Sequence, residues 1–217
     1  RNTMADLQGK SIGLEAQGTI LHVLAKVALR KNGVDPDKDV NWIGIGVGAA
    51  PAVAMKAGTV DATVLTDSYA LQLEAEGFPV LAALRDYVNG PSGGVAVRED
   101  MLKSKPQTVK KMVRAMLKAQ AYLKSQTPDS RAYIIDFLVK GGMQKDLAAI
   151  LYDREVKQFT DSGWLPDDIL KADIDIVKES LESTGDKIEG SFGVDKLYDL
   201  SIVKQAADDL KKEGWKP

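Results

Sequence analysis

Short apolar runs alternate with amphipathic stretches over the first 90 residues of the chain. Four apolar runs of strand length predict strands at 10–15, from Val40 to the glycines that follow it, at 62–65 and at 80–84. Three stretches with helical spacing predict helices at 20–32, 51–57 and 67–75. Because strands and helices alternate with short connections, this region predicts a parallel sheet covered by helices on both faces.

The pattern changes after Gly93 and Gly94. One short strand is predicted at 95–97, and the apolar residues then recur almost continuously at helical spacing. The predicted helices lie at 106–126, 128–139, 144–156, 167–181 and 200–212. The strand-rich and helix-rich regions predict a boundary between about residues 86 and 94.

Composition and charge narrow the class of protein. The 217 residues include 29 basic and 31 acidic side chains, whereas a nucleic-acid-binding protein needs a basic face, so we expect no nucleic-acid partner. No apolar run reaches the roughly 20 residues of a membrane-spanning helix. The chain has no cysteine, which excludes disulfides, cysteine-ligated zinc and thiol nucleophiles within it.

A glycine-rich loop after the second predicted strand is the first candidate site. Gly44, Gly46, Gly48 and Ala49 satisfy the spacing of a dinucleotide-binding loop. The helix that follows is only about two turns long, and Pro51 stands at its start, so we prefer a loop for a ligand smaller than a nucleotide. A strand end that needs glycine only for packing is the alternative interpretation.

Two further loops are predicted at the carboxyl ends of strands. The first is Gln17, Gly18 and Thr19, where Thr19 is placed to cap a helix whose first amides could hold an anionic or polar group. The second is Asp67, Ser68 and Tyr69, after the strand at 62–65. Simple helix capping is the alternative at both. All three loops should lie on one edge of the sheet, where ligands bind in open parallel sheets.

The sequence offers no catalytic or metal-binding arrangement, so we expect neither a cofactor nor a metal. His22, the single histidine, lies in a predicted amphipathic helix, where a structural role is expected. The acidic pairs at 167–168 and 208–209 are best explained as a helix start and a solvated helix face. The three tryptophans are expected to pack rather than to stack on a ligand.

Four segments resemble the solute-binding proteins of ABC importers, in the branch that carries sulfonates, taurine, nitrate and thiamine-precursor pyrimidines. These segments are residues 5–13, 57–62, 93–97 and 197–203. The resemblance implies the α/β, two-lobed fold of type II periplasmic binding proteins, with residues 5–90 forming lobe II and residues 94–217 adding a strand and helices to lobe I. It implies that the N-terminal part of lobe I is lacking, and that the helices cover a sheet from another part of the chain.

The resemblance also implies a function and a site. The expected protein is a receptor in the periplasm or on the outer face of the membrane, monomeric when complete, which passes a small polar or anionic solute to an ABC permease and is not an enzyme. Residues 17–19, 48–49 and 67–69 would face the ligand. A carboxylate at Asp67 would disfavour an anionic ligand.

Two other functions occur on the same scaffold. One is an enzyme of the menaquinone-pathway type; pyrimidine synthases rely on histidine and a cysteine-rich motif, which do not fit this chain. The other is the ligand-sensing domain of a regulator. An export signal upstream would favour the receptor, and a DNA-binding or membrane-spanning segment would favour the sensor.

Overall fold

The computed structural model describes residues 3–88, 90, 93–183 and 193–215. Within these ranges the described residues form two compact units, one with the residues up to 88 and those at 172–183, and the other with residues 90–171 and 193–215. The chain passes from the first unit to the second between residues 88 and 90, within the range 86–94 expected for a boundary, and it passes back inside a helix, between residues 171 and 172. The assignment of 5–90 and 94–217 to two lobes remains a prediction.

The first unit is built on a three-stranded parallel sheet in the order β2-β1-β3. Its strands are β1 (Lys10–Leu14), β2 (Val40–Gly44) and β3 (Ala62–Thr63). Its helices are α1 (Ile20–Lys31), α2 (Ala50–Lys56) and α3 (Asp67–Ala75), and single 3₁₀ turns lie at Met4–Leu7 and Leu84–Asp86. The predicted alternation of strands and helices is confirmed up to residue 75.

The central strand is held on both sides by close packing and hydrogen bonds. Gly13 in β1 is closely surrounded, because an added Cβ would lie 3.2 Å from Val60 Cγ2 and 2.5 Å from Ile45 Cδ1, the end of a flexible side chain that would have to shift. On the β3 side, the Asp61 carboxylate accepts hydrogen bonds from the Ser11 amide at 3.0 Å and the Ser11 hydroxyl at 2.9 Å. These contacts fix β3 on β1 although β3 itself is only two residues long.

The core of the first unit lies between the sheet and α1. Its buried side chains are Met4, Leu7, Ile12, Ala28, Leu29 and Val34. Burying apolar area of this kind is the main term that favours folding, at about 25 cal/mol per Å². The α1 helix ends where predicted, at Gly33, which adopts a φ of 77°.

Three expectations for the strands were wrong. No strand forms at 80–84 or at 95–97, where the described chain is irregular apart from the 3₁₀ turn, and β3 ends at Thr63 rather than at residue 65. A strand forms when its backbone is hydrogen-bonded to a neighbouring strand, and neither segment has such a neighbour among the described residues. Leu81 and Ala82 still pack on the core of the first unit. Their apolar character is therefore explained by burial, although the segment is not part of the sheet.

The second unit is helical. Its helices are α4 (Glu99–Ser104), α5 (Pro106–Lys124), α6 (Pro128–Lys140), α7 (Lys145–Glu155), α9 (Val194–Leu197) and α10 (Ser201–Lys212), and α8 (Asp167–Ser183) contains the second boundary. The five predicted helices are confirmed with small shifts of their ends, while α4 and α9 were not predicted.

Two interfaces organise the second unit. Helices α6 and α7 enclose a cluster of Ile135, Ala148, Tyr152 and Val156. Helices α5 and α10 are joined by the ion pairs Lys110–Asp209 at 2.5 Å and Arg114–Glu213 at 2.6 Å. Among the described residues, no helix has the length and apolar character required to cross a bilayer.

Candidate functional site

The three candidate loops leave the sheet at one edge, because each follows the carboxyl end of a parallel strand. The pairing of β1 with β2 continues past the strand ends, as the Ile45 amide donates to Leu14 O at 2.8 Å and the Gly46 amide to Glu15 O at 3.1 Å. On the other side of β1, the Val64 amide donates to Gly13 O at 2.9 Å. The loop at 17–19 therefore follows the central strand, and the loops at 48–49 and 67–69 follow the strands on either side of it.

The first loop turns tightly into α1. Gly18 has a φ of 81°, a conformation that glycine adopts without strain. The Thr19 hydroxyl donates to Ala16 O at 2.9 Å and accepts the His22 amide at 3.4 Å, so Thr19 is the predicted N-cap. Gln17 and Gly18 are exposed, and the first amides of α1 have no acceptor within the helix.

His22 lies beneath this loop. The Gly18 amide donates to His22 Nδ1 at 3.0 Å, and the imidazole meets the Trp42 ring almost at right angles with 4.7 Å between centroids. Burial, and then the nearby charge of Lys26, lower the pKa of His22, while Asp37 opposes them. The imidazole is therefore neutral at pH 7, which leaves Nδ1 able to accept.

The second loop approaches the third. Gly46 and Gly48 have φ values of 110° and 69°, and Gly48 and Ala49 are exposed. A Cβ added to Gly48 would lie 3.7 Å from the Tyr69 hydroxyl, so the glycine backbone and the start of α3 face each other across a short gap. The structure thus brings Gly48 close to the Tyr69 hydroxyl, and a role for either residue in ligand binding remains a prediction.

The third loop differs from its prediction in two respects. Thr66, rather than Asp67 or Ser68, is the N-cap residue of α3, and Asp67 begins the helix, where its negative charge suits the helix dipole. Asp67 is also paired with Arg85 at 2.5 Å. The carboxylate therefore does not stand alone against an anion, and the expectation that it would disfavour one has lost its basis.

Arg85 is the residue at this edge that the sequence analysis missed. It lies in the 3₁₀ turn that follows the apolar run at 80–84, and it contacts the beginning of α3 through Asp67. A basic residue directly after an apolar run was the available signal, because such a run was expected to end at the same edge of the sheet.

Metal chemistry receives no support from the described residues. Within them, no group of three or more histidine, cysteine, aspartate or glutamate side chains is arranged to hold a metal ion. The edge offers amides, hydroxyls and a paired arginine. Such groups bind polar or anionic solutes through hydrogen bonds.

A comparison with protein families decides the classification. A family model described as the NMT1-like family matches residues 1–139. The chain belongs to the NMT1-like family. The matched stretch includes every strand of the sheet and all three candidate loops.

Solved structures show the fold of this NMT1-like chain. The SsuA from Methylobacillus flagellatus KT, described as a putative periplasmic sulfonate-binding protein of an ABC transporter, is 22% identical with a TM-score of 0.71 over 100% of the chain. The alkanesulfonate-binding SsuA from Xanthomonas axonopodis pv. citri, solved with MOPS, is 20% identical with a TM-score of 0.62 over 95% of the chain. The predicted resemblance and fold class are confirmed.

The NMT1-like chain is shorter than these relatives. It spans 65% of the length of each SsuA structure. It is also 29% identical over 114 residues to the bicarbonate transport ATP-binding protein CmpC of Synechocystis sp. strain PCC 6803, a match that covers 52% of the chain and 17% of CmpC.

Proposed function

We propose that this NMT1-like chain is part of an extracytoplasmic solute receptor of an ABC importer. The loops at 17–19, 48–49 and 67–69 would form one wall of its ligand site. The observation that supports the proposal is that each loop follows the carboxyl end of a strand in one parallel sheet, with exposed glycine backbone on two of the loops and the Asp67 carboxylate paired with Arg85.

The favoured ligand is a small solute with an anionic head, such as a sulfonate. Helix-start amides and hydroxyls favour negative charge, and Arg85 compensates the charge of Asp67. The structural relatives named for sulfonates and the relative named for bicarbonate transport support the same class. The receptor would pass this solute to a membrane permease, would act as a monomer, and would carry out no reaction.

A ligand panel tests the proposal. We expect at least one of taurine, methanesulfonate, nitrate and bicarbonate to raise the melting temperature of the protein, because a ligand that binds only the folded state stabilises it by mass action. Calorimetric titration then gives the affinity. A panel without any stabilising or binding member would contradict a receptor for small anions.

A matched pair of glycine variants tests the location. Gly48 and Gly58 have φ values of 69° and 70°, so Gly48→Leu and Gly58→Leu introduce the same backbone strain. Gly48 lies at the proposed wall, whereas Gly58 follows the far end of α2. We expect Gly48→Leu to weaken binding at least about tenfold, or about 1.4 kcal/mol, and Gly58→Leu to leave it unchanged.

A further inference from the structure

One buried side chain is connected to the first loop at two points. His22 is only 3% exposed. Its imidazole Nδ1 accepts the Gly18 amide at 3.0 Å, and its own amide donates to the Thr19 hydroxyl at 3.4 Å. The side-chain bond supports the Gly18 amide directly, while Thr19 is held separately by its hydrogen bond to Ala16 O, so the part of the loop that depends on the state of this ring is the backbone at Gly18.

The ring is held in one orientation by its neighbours. Trp42 packs against it at nearly 90°, and Trp42 is itself fixed because its Nε1 donates to Pro36 O at 2.7 Å. His22 Nε2 is buried without a hydrogen-bond partner among the described residues. With Nδ1 acting as an acceptor, the neutral ring carries its proton on Nε2.

The charged groups around the ring oppose each other. Lys26 lies one turn further along α1, and Asp37 faces it from the turn before β2, with 2.6 Å between Lys26 Nζ and Asp37 Oδ1. Arg30 also pairs with Asp37, at 3.2 Å, so the Asp37 carboxylate is shared between two cations, and its charge opposes the effect of Lys26 on the pKa of His22. Protonation would place a second N–H, on Nδ1, directly opposite the Gly18 N–H.

We propose that His22 is a positioning residue for the ligand wall: its neutral imidazole holds the Gly18 backbone of the loop at 17–19 in the binding conformation, and protonation in mild acid releases that backbone. The expected effect on ligand binding rests on the proposed function. The proposal also has a structural half, which is the coupling between the protonation of the His22 ring and the Gly18 amide. This coupling does not depend on any ligand.

Three variants separate this role from simple packing. His22→Asn places an amide oxygen near the position of Nδ1 and does not titrate, so it should keep the bond at every pH. His22→Leu has no acceptor. Leu29→Ala opens the same core from the same helix without contacting the loop, and it controls for general loss of stability.

Nuclear magnetic resonance of the 217-residue protein tests the structural half. As the pH is lowered from 7.5, we expect the Gly18 amide and the His22 ring to titrate with one midpoint below pH 6.5, and the Gly18 amide to stop titrating in His22→Asn. At pH 7.5, hydrogen exchange of the Gly18 amide should accelerate about fivefold in His22→Leu, relative to Leu29→Ala. A Gly18 amide that exchanges equally in these two variants would overturn the proposal, as would one that titrates in His22→Asn.

Binding of methanesulfonate at pH 7.5, and at a pH below the midpoint measured for the His22 ring, tests the consequence for ligand affinity. We expect the affinity of the wild-type protein to fall about fivefold in acid and that of His22→Asn to stay constant. Tighter binding by the wild type in acid would mean that the imidazolium attracts the anion, and would overturn the proposal. If methanesulfonate fails to bind at pH 7.5, the sulfonate assignment fails, while the resonance experiment still decides the role of His22.

Discussion

Regular helices in the two units carry apolar side chains of very different exposure. In the first unit, Leu29 of α1 is 1% exposed against the sheet. In the second, Met116 of α5 and Phe137 of α6 are 56% and 66% exposed, although both helices are regular. Amphipathic spacing thus predicts the helix equally well in both units, but it does not predict what covers the apolar face. That the second unit's helices cover a sheet from another part of the chain remains a prediction.

The largest expected effect contrasts a buried position with an exposed one. Leu29→Ala should lower the free energy of unfolding by about 3 kcal/mol, because it removes buried methyl groups and leaves a cavity. Met116→Ala, on the exposed face of α5, should change it by less than about 0.5 kcal/mol. Urea denaturation followed by circular dichroism measures both. Equal losses would show that the Met116 face is covered.

A second variant tests the tight packing around β1. Gly13→Ala should lower the free energy of unfolding by about 1 kcal/mol, because the new Cβ would displace the end of the Ile45 side chain and crowd Val60. Gly44→Ala, at the end of the neighbouring strand, is the control, since no atom lies within 4 Å of its added Cβ. A cost for Gly13→Ala no greater than that for Gly44→Ala in the same denaturation assay would argue against this packing.

The third effect is a dependence on pH confined to the first unit. Burial lowers the pKa of His22 below 6.5, so the unfolded chain binds a proton in a range where the folded chain does not. The free energy of unfolding should therefore be constant above pH 6.5 and fall as the pH drops from 6.5 towards the folded pKa. Because His22 is the single histidine, hydrogen exchange of amides in the second unit should show no such decline. An equal decline of amide protection in both units, or no decline in the unit that contains His22, would contradict this account.

The smallest effect concerns the exposed aromatic side chains. Phe137→Ser should alter the free energy of unfolding by less than about 0.5 kcal/mol, since the ring buries little area in the described structure. Dye binding by exposed apolar surface should decrease. A loss of 2 kcal/mol or more would show that Phe137 is buried in solution.

Local signals in the sequence predicted much of the first unit. Thr19 and Gly33 mark the two ends of α1 because capping depends on a few neighbouring residues. The prediction of a strand at 80–84 was wrong because strand formation depends on a neighbouring strand, which the sequence of the segment itself does not specify. For the same reason the sequence could not show that α8 contains the second boundary between the units.

The candidate site was predictable only in part. The loops follow predicted strands, so their meeting at one edge came directly from the parallel topology. The pairing of Asp67 with Arg85, and the bond from Gly18 to His22, depend on side-chain directions in three dimensions. The charge around the three loops was therefore misjudged, whereas their place after the carboxyl ends of parallel strands follows from the predicted topology.

The most direct test of the proposed ligand wall is chemical-shift mapping of the backbone amides during titration with the best-binding anion from the panel. We expect the largest changes at residues 17–19, 48–49 and 67–69, and little change at the opposite, amino-terminal edge of the sheet near Ser11 and Asp61. Saturable changes concentrated away from these three loops would contradict the account.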